Sequence, residues 1–212
     1  MNLIDNEPGR DLGRIAALSD GVFAFALTVL VLDVRVSDVK SVHSEADLAH
    51  ALALLWPSVI VVLMTFLRLA LFWVGQQVVL SNFRAADRNL TWFQLAFLLT
   101  NVAFPFSTSL LADFITFRLA LLVYWLNIVV AAVLLRESWR YGQRAGLLNE
   151  DAFSPVSVLN HGFFMAQGLY AVAFALCAIN TYVSIVAIVL VQLYIALSPR
   201  TWRRAATAAH GR

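Results

Sequence analysis

RIAALSDGVFAFALTVLVLD, running from Arg14 to Asp33, decides the fold. A basic residue opens it, Ser19-Asp20-Gly21 lies inside, and only apolar residues and Thr28 follow until Asp33. About 20 such residues are what a helix needs to cross hydrocarbon. A carboxylate a turn and a half into such a helix is expensive and rarely idle, so Asp20 is a functional candidate at once. The rest of the chain is written in the same style. Of 212 residues, 61% are hydrophobic and 13% charged, with a mean hydropathy of +0.78, against about 45–50% and 25% in a soluble domain. The apolar runs lack the strict alternation of barrel strands, and lipid leaves no other way to satisfy the backbone than helices. The expected fold is an all-α membrane protein, one domain over residues 1–212.

Six spans are expected, at about 14–34, 52–80, 90–111, 115–136, 154–179 and 181–198. An even number puts both termini on one side of the membrane. That side collects Arg10, Arg14, Arg84, Arg88, Arg136, Arg140, Arg144, Arg200, Arg203, Arg204 and Arg212, and the other holds only Arg35, Lys40 and Arg118. The positive-inside rule makes the first side cytoplasmic, in the inner (plasma) membrane. The basic tail is then an anchor against anionic lipid rather than a nucleic-acid patch. On the outer side Asp33, Asp38, Glu45, Asp47 and Asp113 outnumber the three bases, so a ring of chains would have an acidic mouth. No small-residue cleavage site follows the first run, which is therefore expected to remain as a helix.

Enzyme signals are absent. His43, His50, His161 and His210 have no metal-ligand spacing, the spans offer no pair of haem ligands, and no phosphate loop or nucleophile elbow occurs. His161 reads as an interfacial hydrogen-bonding residue, and the lone Cys177 as a small buried apolar one. No cofactor is expected. The intramembrane charges are Asp20 and Arg68. Counted from Val34 and Leu54, the expected outer ends of the first two spans, both lie about 21 Å deep at 1.5 Å per residue. They are therefore expected to interact, directly or through water. Phe25, Val29 and Leu32 recur at i, i+4 and i+7 and form one stripe, flanked by Thr28 and Gly21, with Asp20 pointing away from it. Such a stripe ordinarily meets lipid or a core.

The string Arg14-x-x-x-Leu18-Ser19-Asp20, continuing through Gly21-Val22-Phe23-Ala24 to Leu30-Val31-Leu32-Asp33, resembles the R-x-x-x-[FY]-S-D hallmark of the transmembrane protein 175 family. Trp56-Pro57-Ser58, Phe72-Trp73, Phe97-Leu98-Leu99 and Phe104-Pro105-Phe106-Ser107-Thr108 resemble it too, so the likeness covers roughly residues 10–112. It implies a cation channel, chiefly for potassium, with one six-helix repeat per chain and four chains whose first helices line the pore. The family has no carbonyl selectivity filter of the T-V-G-Y-G kind, and this sequence contains none. By resemblance, the principal apolar constriction falls on Phe25, with further layers at Val29 and Leu32, and the selectivity threonine on Thr28. A potassium ion would pass close to Phe25 and Thr28. Arg14, Ser19 and Asp20 correspond to a polar network behind the pore helix, to which the expected pairing adds Arg68; Asp33 belongs to the cation-attracting outer mouth.

Two positions depart from the family pattern. Phe25 is bulkier than the usual aliphatic residue, and Gln76-Gln77 stand where histidines are typical, which removes a titrating group. The expected activity is a homotetrameric, potassium-permeable channel in lipid, opened by rotation or outward shift of the first helix. A proton-coupled carrier using Asp20 and Arg68 as a relay is the alternative, and a non-conducting membrane scaffold is a third.

Overall fold

The computed structural model describes the backbone of residues 8–34, 43–149 and 156–197, and side chains within 12–32, 34, 43–149 and 165–197. The side chains of Arg10, Asp33, Arg35, Asp38, Lys40 and His161, and the tail from 198 onward, lie outside the described residues. The described chain is helical: α1 (Pro8–Val29, prolonged by a 3-10 turn Leu30–Asp33), α2 (Glu45–Ala53), α3 (Trp56–Ser81), α4 (Arg88–Val102), α5 (Phe104–Asp113), α6 (Arg118–Arg144), α7 (Val156–Ala175) and α8 (Thr181–Leu197). Among the described residues, four stretches are long and apolar enough to cross a membrane: Leu12–Leu32, Trp56–Ser81, Arg88–Asp113 and Arg118–Arg144. This is an all-α membrane protein. Met165–Ala178 and Thr181–Leu197 are apolar but shorter.

Three boundaries differ from the sequence expectation, each for a physical reason. The second apolar run is not one helix. It breaks at Leu54-Leu55, ahead of Pro57, which has no N–H to give and so belongs in the first turn of a new helix. The third run also breaks, at Ala103, because the Pro105 ring would clash with the carbonyl four residues back if the helix ran on. The fourth helix, by contrast, continues past Arg136 to Arg144. Its last turns bury Ser138, Trp139 and Gly142, with Trp139 tilted against Phe83 at 6.1 Å between ring centroids. Backbone bonds from Arg84 N–H to Leu147 (2.9 Å) and from Asn149 N–H to Asn82 (2.9 Å) tie the loop after α3 to the loop after α6.

The core lies where α1, α3, α4, α5 and α6 meet. Phe23, Ala26 and Leu30 of α1 pack there against Phe72, Phe97, Phe104 and Tyr124. The rings form a chain of contacts, Phe23 to Phe97, Phe97 to Phe72, Phe72 to Phe104 and Phe104 to Tyr124, at 5.8–6.1 Å. Tilted and edge-on aromatic pairs of this kind contribute about 0.5–1.5 kcal/mol each beyond the area they bury. They fix the angle of α1 against the rest, which is what positions the site.

Candidate functional site on the first helix

The buried residues of α1 are Ile15, Ser19, Phe23, Ala26 and Leu30. Their spacing of three and four places them on one face, against α3 and α4. Phe25 and Leu32 lie on another face and are 67% and 59% exposed. Thr28 is exposed beside them, and Val29 is half-buried. The Thr28 hydroxyl donates to the Phe25 carbonyl at 2.8 Å. Its proton is thereby committed to the helix, and its oxygen lone pairs remain for an acceptor's role.

Ser19 and Asp20 tie this helix to α3. Ser19 Oγ donates to the Ile15 carbonyl (2.8 Å) and accepts from Gln76 Nε2 (2.9 Å). The same Gln76 nitrogen donates to Gln94 Oε1 (2.9 Å), Gln94 Nε2 donates to Ser138 Oγ (3.3 Å), and Ser138 donates to the Leu135 carbonyl (2.8 Å). Four buried side chains thus join α1, α3, α4 and α6 in a chain of neutral groups that donates outward in both directions from the Gln76 nitrogen. Each donor has its acceptor, which is how polar groups become tolerable in an apolar interior. Asp20 accepts at a single oxygen, Oδ1, from Trp73 Nε1 and Gln77 Nε2, both at 2.8 Å.

The expected contact between Asp20 and Arg68 does not form. No ion pair joins them, and Asp20 meets Trp73 and Gln77, five and nine residues further along α3. The depth count set Val34 level with Leu54, whereas the bonds of Asp20 set it level with the Trp73–Gln77 turn, five to nine residues further along α3. Arg68 is buried on the far side of α3, its guanidinium carbon 4.7 Å from the Phe72 ring centroid and 4.1 Å from that of Tyr170. Arg14 is exposed and makes no hydrogen bond or ion pair among the described residues. So the polar network holds Ser19 and Asp20, and neither arginine.

Gln94 and Ser138 were missed. The available signal was a glutamine in each of two neighbouring apolar runs, since an amide at that depth needs a partner. At the start of α2, the Ser44 hydroxyl and the His43 N–H hold Asp47 below the ordinary carboxylate range.

The sequence model of the endosomal/lysosomal potassium channel TMEM175 family matches residues 14–105, the segment that carries this helix and its anchor. A potassium channel of Chamaesiphon minutus is 32% identical over 192 residues, 88% of this chain and 94% of its own. The chain belongs to the TMEM175 family. A second TMEM175-like relative, a potassium channel of Streptomyces collinus, is 34% identical over 140 residues, 64% of this chain and 66% of its own. The fold agrees. The crystal structure of a lysosomal potassium-selective channel TMEM175 homolog from Chamaesiphon minutus superimposes with a TM-score of 0.76 at 30% identity, over 91% of this chain and 98% of that one. TMEM175 is a potassium-channel family and not an enzyme class.

Proposed function

We propose that this protein is a potassium-permeable channel in which four copies of the chain surround a pore lined by α1. In this reading each chain crosses the inner membrane six times, α7 and α8 completing the spans, with both termini cytoplasmic. The observation that carries it is the division of labour on α1. One face is buried and bonded to its own subunit, while the face bearing Phe25, Thr28 and Leu32 is left exposed in the single chain. Four copies of that face around an axis make a water-filled path narrowed by rings of Phe25, Val29 and Leu32. Such rings gate by dewetting, and no carbonyl filter is needed. The acidic outer loops, Asp33 among them, raise the local cation concentration. Thr28, its proton occupied by the Phe25 carbonyl, offers oxygen lone pairs to a partly dehydrated potassium ion as it passes Phe25.

The test is the reversal potential of purified protein in planar bilayers, with potassium on one side and sodium on the other. A current reversing toward the potassium equilibrium potential supports the reading. An unselective current keeps the pore and removes Thr28 from selectivity. Silence in both the wild type and Phe25→Ala, with tetramers assembled, overturns it. Phe25→Ala is expected to raise conductance about tenfold or more, the effect of lowering a barrier by about 1.4 kcal/mol. The carrier alternative needs Asp20 and Arg68 as a relay, and the bonding of Asp20 to Trp73 and Gln77 leaves it without a supporting observation.

A further inference from the structure

Arg68 lies outside the polar network behind α1 and has a problem of its own. It is 5% exposed in a helix long enough to span the membrane, and no carboxylate among the described residues reaches it. Its guanidinium carbon lies over the Phe72 and Tyr170 rings, 4.7 and 4.1 Å from their centroids. Cation–π contacts of this sort offset part of the cost of a buried cation. They leave the in-plane N–H groups untouched, and Nε and Nη2 have no hydrogen-bond partner. These two nitrogens form one edge of the planar group, and their N–H bonds point the same way, as the two tines of the fork that grips an anion.

The surroundings match that edge. The Tyr170 hydroxyl is buried without a partner, and so is the whole amide of Gln192 on α8. Tyr124, which lies close to Arg68, Tyr170 and Gln192, has its hydroxyl 3.3 Å from Thr65 Oγ1, which is itself 2.8 Å from Thr108 Oγ1. Every one of these neighbours is neutral; Tyr124, Tyr170 and Gln192 carry an O–H or N–H to give, while the two threonine hydroxyls donate to the Val61 and Phe104 carbonyls. A lone buried cation ringed by neutral donors lacks a negative charge, and leaving it unpaired would cost several kcal/mol.

We propose that the interior of each subunit, between α3, α6, α7 and α8, binds a small monovalent anion of the halide class, held by the Nε–Nη2 edge of Arg68 with the Tyr170 hydroxyl and the Gln192 amide nitrogen as further donors. The ion is structural, neutralises Arg68 and locks α7 and α8 onto α3. It is separate from the pore face of α1.

The test compares purified protein in potassium chloride, bromide and gluconate at equal ionic strength. The thermal midpoint is expected to rise by about 3 °C or more in the halides, saturating with concentration, because only the folded form holds the ion. Crystals grown in bromide are expected to show anomalous scattering about 3.2–3.5 Å from Arg68 Nε and Nη2. Arg68→Gln should abolish the halide dependence, and Tyr170→Phe and Gln192→Leu should shift its half-saturation to at least about threefold higher bromide. Equal midpoints in bromide and gluconate, with no bromide peak at Arg68, would overturn the proposal and assign the edge to water. A halide effect that persists in Arg68→Gln would overturn it too, by placing the ion elsewhere. Should Arg68→Gln fail to fold, the bromide peak and the two milder variants decide.

Discussion

At the scale of residues, Asp20 is held by two donors at one oxygen, and each donor sits on α3. Charge-assisted bonds from an indole and an amide contribute more than neutral ones, though water reaches Asp20 and reduces the gain. Asp20→Ala is expected to lower unfolding stability by about 1–2 kcal/mol, and Asp20→Asn, which keeps an acceptor, by about half as much. Denaturant midpoints in detergent or bilayer discs read the difference, and equal losses would mean that the bonds act only through shape. The sequence made Asp20 and Ser19 conspicuous, because polar groups in an apolar run stand out. It could not name their partners. Trp73, Gln76 and Gln77 sit more than fifty residues away, and a depth count five to nine residues out of register moved the expected partner to Arg68.

At the scale of elements, the Ser19–Gln76–Gln94–Ser138 chain couples four helices, and its two serines keep backbone acceptors of their own. Gln94→Leu strands the Gln76 amide in an apolar site and should cost about 1–3 kcal/mol, whereas Gln76→Leu with Gln94→Leu removes both needy groups together. The double variant should therefore lose clearly less than the sum of the singles, and strict additivity in that cycle would show the two amides to be uncoupled. The end of α6 makes a steric prediction. A Cβ on Gly142 would stand 2.2 Å from Phe83 Cε1, which no real contact permits. Gly142→Ala should destabilise by about 1–3 kcal/mol, with recovery on adding Phe83→Leu; a thermal midpoint unmoved by Gly142→Ala would mean that the loop carrying Phe83 yields freely. Element type was readable from apolar runs throughout. Element ends were not, because Trp139 and Gly142 prolong α6 through contacts with Phe83, which no local pattern in α6 announces.

At the scale of the whole molecule, the acidic outer mouth of the proposed channel would act at long range and so depend on salt. Asp33→Asn should reduce single-channel potassium conductance most at low ionic strength, with the gap closing near 1 M, where charges are screened within about 3 Å. An equal reduction at all salt concentrations would point to a local contact in place of a field. The proposed assembly of four copies rests on the exposed face of α1, and a single chain shows only the unburied half of such an interface. The stripe of Phe25, Val29 and Leu32 was legible as a stripe. Its difference from a lipid-facing one lies in the family likeness and in the anchoring of the opposite face.

The two adjacent bonds at Ser19 and Asp20 give α1 a fulcrum. Spin about its own axis would tear both, so the movement left to α1 in the proposed channel is a pivot that loosens the Phe23, Ala26 and Leu30 contacts beyond them. Phe25 lies five residues from Asp20 and Leu32 twelve, arms of about 7.5 and 18 Å at 1.5 Å per residue. A tilt of about 10° then carries Phe25 by about 1 Å and Leu32 by about 3 Å. In the proposed tetramer such a lever would open like a flower from its rim, the Leu32 ring parting well before the aromatic one. Spin-label distances across the assembly at the two levels should differ in that ratio, and equal displacements would mean that the whole helix slides.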